Sequence, residues 1–155
     1  VTLKPDISCI TLAGLPHEPG VTAAVFDELA ARGVLVDDIV QTVDARRGRV
    51  TLGFTVQGRD AGELRAVAEL LAQRFAVEQA DINVDLARVS VIGVGMRSHH
   101  GVASRLFAAL AAEKIQVENV TTSEIVISVL VPAADAERAL HVAHNAFGLS
   151  CGTGS

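Results

Sequence analysis

Apolar residues along the chain follow two rhythms, compact runs of strand length and longer stretches at helical spacing, and the two alternate. Residues 7–12 form a strand-like run, followed by a Gly/Pro-rich loop at 14–20. From 21 to 32, Val21, Val25 and Leu29, with Ala24 and Phe26 beside them, mark one face of a helix. Gly33 stops that helix by tolerating a left-handed cap. Residues 35–43 and 49–56 read as two strands around the polar turn DARRG. A second helix spans 61–75, with Leu64, Val67, Leu70 and Leu71 on one face, and a short strand follows at 82–85. The predicted order is βαββαβ.

The same order then returns. The stretches GLPHEPGVTAAVFDELAARGVLVDDIV and GMRSHHGVASRLFAALAAEKIQVENVT align without a gap, Gly20 against Gly101, at an offset of 81 residues (101 − 20). Gly14 meets Gly95, Val21 meets Val102, Phe26 meets Phe107 and Asp37 meets Glu118. Two copies are too few for a solenoid and predict two small domains in tandem, 1–86 and 87–155, with the N-terminal segment a candidate contributor to the second. The second copy predicts strands at 88–93, 116–121 and 125–131 and helices at 102–113 and 134–147. Its closing strand is not evident, because the chain runs out in LSCGTGS. The fold class expected is α+β: two ferredoxin-like βαββαβ units, each an antiparallel sheet with its helices on one face. Open sheet edges invite pairing, so side-by-side or dimeric association is expected.

Composition narrows the function. With 155 residues, half of them hydrophobic, the chain can bury a real core. A net charge of −5, no basic run longer than Arg46-Arg47, and no Trp or Tyr argue against a nucleic-acid surface. Two cysteines without a motif, Cys9 and Cys151, fit a reducing cytoplasm rather than a disulfide framework. No apolar stretch approaches the length of a membrane span, and VTLKPD lacks the apolar region of a signal peptide. A start without Met and an end in GTGS suggest a fragment or a processed subunit.

The segment GVGMRSHHGVASRLF at 93–107 concentrates the candidate chemistry. Gly93, Gly95 and Ser98 nearly spell a dinucleotide loop, but the third glycine is missing and the strands that follow do not suit a long parallel sheet. His99 and His100, or His141 and His144 at i, i+3, lack a Cys or carboxylate that would complete a metal set. Ser98 beside His99 has no group to orient a base. A solvated loop and a polar helix face account for these residues, and neither metal nor cofactor is expected. What remains in both copies is a glycine-containing loop leading into a helix N-terminus, whose free N–H groups and positive end favour a carboxylate. Gly20 and Gly101 let a ligand approach the backbone. A small zwitterion such as an amino acid fits that arrangement.

The loop PHEPGV, with GMRSHHGV followed by VTTSEIVISVLV in the second copy, resembles the regulatory region of aspartate kinases, a pair of ACT domains, over about residues 7–149. The resemblance implies an amino-acid-binding allosteric region that gives lysine and/or threonine feedback control of aspartate-family biosynthesis. It implies as partners a second copy, joined through the ACT sheets, and the catalytic domain or subunit of aspartate kinase. Carried over residue by residue, the effector site would draw on His17, Gly20, Val21 and Thr22 in the first loop, Asp37 and Gln41 on the strand after it, and Gln116 and Val117 from the facing copy. The second loop would contribute Met96, Ser98, His99, Gly101 and Val102, with Ser123 and Glu124 from the TSE segment. This chain departs from the family pattern at His17, where Asp is usual, at Thr42 for Asn, at His100 for Pro and at Val126 for Arg. The lysine-containing kinase motif is missing, so the chain itself is expected to be non-catalytic. The alternatives are a stand-alone ACT sensor acting on another protein and, third, a small ferredoxin-like nucleotide-binding enzyme.

Overall fold

The computed structural model describes residues 1–92, 99–123 and 126–147, with only the backbone described at His99 and His100. Its strands are β1 (Thr2–Pro16), β2 (Val36–Asp44), β3 (Arg49–Gln57), β4 (Gln79–Ile92), β5 (Asn119–Thr122) and β6 (Val126–Pro132). Its helices are α1 (Val21–Ala31), α2 (Ala61–Arg74), α3 (His99–Ala112) and α4 (Ala136–Ala146), the last entered through a 3-10 turn at Ala133–Asp135. By their contacts the residues form two compact units, Asp6–Val84, and Val1–Pro5 together with Asp85–Ser155. Both are α+β units of ferredoxin type built on antiparallel strands, as the sequence pattern implied.

In the unit of the first repeat the strand order is β2-β3-β1-β4. Alternate residues of β1 and β3, among them Ile10, Leu12, Leu52, Phe54 and Val56, form one wall of the core. Val25 and Leu29 of α1 and Leu64, Val67 and Leu71 of α2 close it. Each such large side chain removed from water contributes about 1.5–3 kcal/mol. Phe26 meets Phe54 edge-on, ring centroids 5.9 Å apart. Asp60 starts α2 by accepting the Glu63 N–H at 3.0 Å, which satisfies one of the helix's orphan donors.

The unit of the second repeat places β6 between β4 and β5. Val89, Val91, Ile127, Val129 and Val131 of the sheet pack with Leu106 and Leu110 of α3 and with Ala139 and Ala143 of α4. Val1 is buried in this same core and Leu3 packs against it.

Several elements differ from the sequence expectation, each for a local reason. The runs at 82–85 and 88–93 belong to a single strand, β4, which passes through Asp85 in the left-handed region (φ 59). Asp6 does the same within β1 (φ 56), which extends well beyond 7–12 at both ends. The helix expected to start after Gly101 begins at His99, so Gly101 and Val102 lie within its first turns. Strand β5 begins at Asn119 rather than 116.

The repeats also differ in one hairpin. Ile39 faces Phe54 across β2 and β3, a separation of 15 residues (54 − 39), whereas its counterpart Val120 faces Val129, a separation of 9 (129 − 120). The first hairpin is therefore six residues longer, and its tip becomes part of the site.

Candidate functional site

The loop between β1 and α1 is held from both sides. Gly14 forms a bulge in β1 with φ 82, which shifts the register between Ala13 and Leu15. The chain then reaches His17, whose N–H donates to Gly48 O at 3.0 Å on the long hairpin. Gly20 caps α1 in the left-handed conformation, φ 89 and ψ −14, and its carbonyl accepts the Ala24 N–H at 2.9 Å. A glycine is needed there because a side chain would be strained at that φ.

This geometry leaves the start of α1 open. No side chain caps it and no acidic residue stands in its first turn. The positive end of the helix dipole is thus uncompensated by the helix's own residues. Beside it lies a pocket of about 460 Å³, lined by Pro16, His17, Glu18, Pro19, Gly20, Thr22, Gln41 and Val50. Its volume falls within the range of small-molecule sites. Thr22 Oγ1 donates to Gln41 Oε1 at 2.8 Å, tying the first turn of α1 to β2. Chemically, the pocket combines a helix end suited to an anion, one carboxylate on Glu18, an imidazole and a fixed carboxamide.

Of the residues expected from the sequence, His17, Gly20, Thr22 and Gln41 come together in this pocket. Val21 is half-buried and packs against the core of its unit, and Asp37 stands exposed on β2 without lining the pocket. In the other unit, Val102 and Val117 pack against the core, Gln116 is exposed, and Gly101 is an exposed residue of α3. Ser123 donates its N–H to Val126 O at 2.8 Å. Met96, Ser98 and Glu124 lie outside the described residues, as does the side chain of His99. Pro16, Glu18, Pro19 and Val50 complete the pocket but were not in the expected set. Glu18 and Pro19 sit inside the very loop PHEPG, a signal available in the sequence, whereas Val50 arrives only through the pairing of β3 with β1.

The described residues contain no group of three His, Cys, Asp or Glu placed to hold a metal ion. None of their helices is long and apolar enough to cross a membrane.

The fold is that of a regulatory module of the ACT type, a ferredoxin-like unit, here with a pocket where the first strand turns into the first helix. The ACT-domain family model matches residues 89–147. The regulatory subunit of aspartate kinase from Thermus flavus superposes with a TM-score of 0.80 at 38% identity, over 94% of this chain and 95% of that one. The chain belongs to the family of aspartate kinase regulatory regions. An aspartate kinase of Stutzerimonas stutzeri is 37% identical over all 155 residues, which span 37% of its length. An E. coli aspartokinase III structure in complex with lysine and aspartate (T-state) matches with a TM-score of 0.66 at 25% identity, over 92% of this chain and 31% of that one.

Proposed function

We propose that the first-repeat pocket receives a free amino acid, lysine and/or threonine, and that its occupancy gives end-product feedback on an aspartate kinase. The observation that carries this reading is the convergence of His17, Glu18, Gly20, Thr22 and Gln41 on one pocket at an uncapped helix start. The ligand carboxylate meets the first-turn N–H groups of α1, where the dipole favours negative charge. Glu18 is the acid available to its ammonium, and Gln41 meets its side chain. The lysine held by the E. coli enzyme supports an effector of this class.

Regulation follows from differential affinity. An effector shifts the attached kinase only as far as it binds one arrangement of the regulatory region better than another. The catalytic partner is the portion that full-length relatives carry beyond the 37% of their length matched here. A second copy joins through a sheet edge. The edge strand β2 supports that role, exposing Ile39, Val40 and Val43 with Leu35 just before it, an apolar row that a lone edge strand normally avoids.

Titration calorimetry with lysine, threonine and other amino acids, run beside light scattering, tests this reading. Saturable heat with lysine or threonine and a dimer mass are expected. No heat with any amino acid, from a protein that stays monomeric throughout, overturns it.

A further inference from the structure

The effector reading leaves the choice of amino acid open, and the contact between Thr22 and Gln41 bears on it. A glutamine amide has an acceptor end and a donor end, and a free one rotates to offer whichever its ligand needs. Gln41 is not free: its Oε1 accepts the Thr22 hydroxyl at 2.8 Å. Both anchors are fixed, Thr22 by the first turn of α1 and Gln41 by its register opposite Leu52 on β3. Among the described residues Gln41 Nε2 has no partner, and Gln41 lines the pocket.

Resting on that effector reading, we propose that Thr22 is a positioning residue that holds the Gln41 amide with its N–H groups toward the ligand. The pocket then selects an amino acid whose side chain ends in a hydrogen-bond acceptor, such as the hydroxyl of threonine, over one ending in an ammonium. An ammonium carries donors only, so the Gln41 N–H groups offer it nothing, and it is left to compete with the Thr22 hydroxyl for Oε1. A hydroxyl oxygen accepts from the same groups. The device belongs to the first repeat alone, since the residues 81 positions on are Ala103 and Thr122, which cannot build a tethered carboxamide.

The test uses the intact chain, Thr22→Val, which keeps the branched shape without the hydroxyl, and Thr22→Ser, which restores it. Competition titrations are expected to show the parent chain preferring threonine to lysine about tenfold, the scale of one hydrogen bond gained against one left unmade. Thr22→Val should reduce that preference to less than about threefold, and Thr22→Ser should restore it. Independently of ligand, the Gln41 side-chain NH2 signals in NMR should report a restrained amide in the parent and Thr22→Ser chains and an averaged one in Thr22→Val. A preference unchanged in Thr22→Val, lysine bound more tightly than threonine by the parent chain, or a Gln41 amide already averaged there overturns the proposal while leaving amino-acid binding intact. If the parent chain binds neither ligand, the effector reading falls and this inference falls with it.

Discussion

Lys114 closes α3 in the same left-handed conformation that Gly33 uses to close α1, with φ 56 against 71. The hydrogen bonds match as well. Gly33 N–H donates to Ala30 O and Val34 N–H to Leu29 O, while Lys114 N–H donates to Ala111 O and Ile115 N–H to Leu110 O. Glycine, which has no β-carbon, adopts this φ freely, whereas the β-carbon of Lys114 crowds the backbone at a cost of about 1–2 kcal/mol. Lys114→Gly is therefore expected to stabilise the fold by about 0.5–1 kcal/mol after the entropy of the added glycine is subtracted. Urea unfolding reads this as a higher midpoint at unchanged slope. A lower midpoint would show that Lys114 is not strained.

Gly14 is the opposite case. A β-carbon there would collide with the Glu78 side chain, at a backbone φ of 82. The Glu78 carboxylate is itself held by Arg47 on the long hairpin. Gly14→Ala should cost about 1–3 kcal/mol and disturb the loop that carries His17, weakening ligand binding as well as stability. Adding Glu78→Ala should recover only the part of that loss due to the side-chain clash. Full recovery would show that the left-handed φ carries no strain.

Ser90 and Ser128 face each other across β4 and β6, both buried, with their hydroxyl oxygens 2.7 Å apart. Replacing either by Ala leaves the other hydroxyl without its partner and should cost about 1–2 kcal/mol. The double substitution should cost less than the sum of the singles, and a double-mutant cycle from urea unfolding measures the difference. Strict additivity would mean that the contact contributes nothing.

Burial raises the pKa of the Cys9 thiol above its ordinary value, with the Thr11 side-chain hydrogen bond acting in the other direction. The folded chain thus keeps this proton after the unfolded chain has begun to lose it. The stability this contributes is full below the unfolded-state pKa of about 8.5 and is lost as pH rises past it. In a Cys151→Ser background, the pH profile of iodoacetamide alkylation should have a higher midpoint in buffer than in urea. Equal midpoints would contradict the assigned burial.

The sequence was most readable where structure is local. Helices α1 and α2 fall within one residue of their expected ends, because apolar spacing and Gly33 act over a single turn. Lys114 gave no warning of its left-handed φ, since a lysine carries no preference for it. The continuity of β4 was hidden because Asp85 breaks the apolar alternation at the point where the strand carries on. Gly101 misled by analogy: a glycine without a β-carbon fits a cap or a helical turn, and only Gly20 of the pair is a left-handed cap. In the pocket, His17 and Gly20 were legible from their loop. The contact of Thr22 with Gln41, 19 residues away, depends on the tertiary fold bringing the first turn of α1 to β2 and has no signature in spacing.

The most direct test is NMR titration of the isotope-labelled chain with threonine and with lysine, following backbone amide shifts. Saturable shifts concentrated at residues 17–22 and at Gln41 are predicted. Shifts that are absent with both amino acids, or that cluster instead on the α4 groove lined by Leu140, His141 and His144, would contradict the assignment of the effector site.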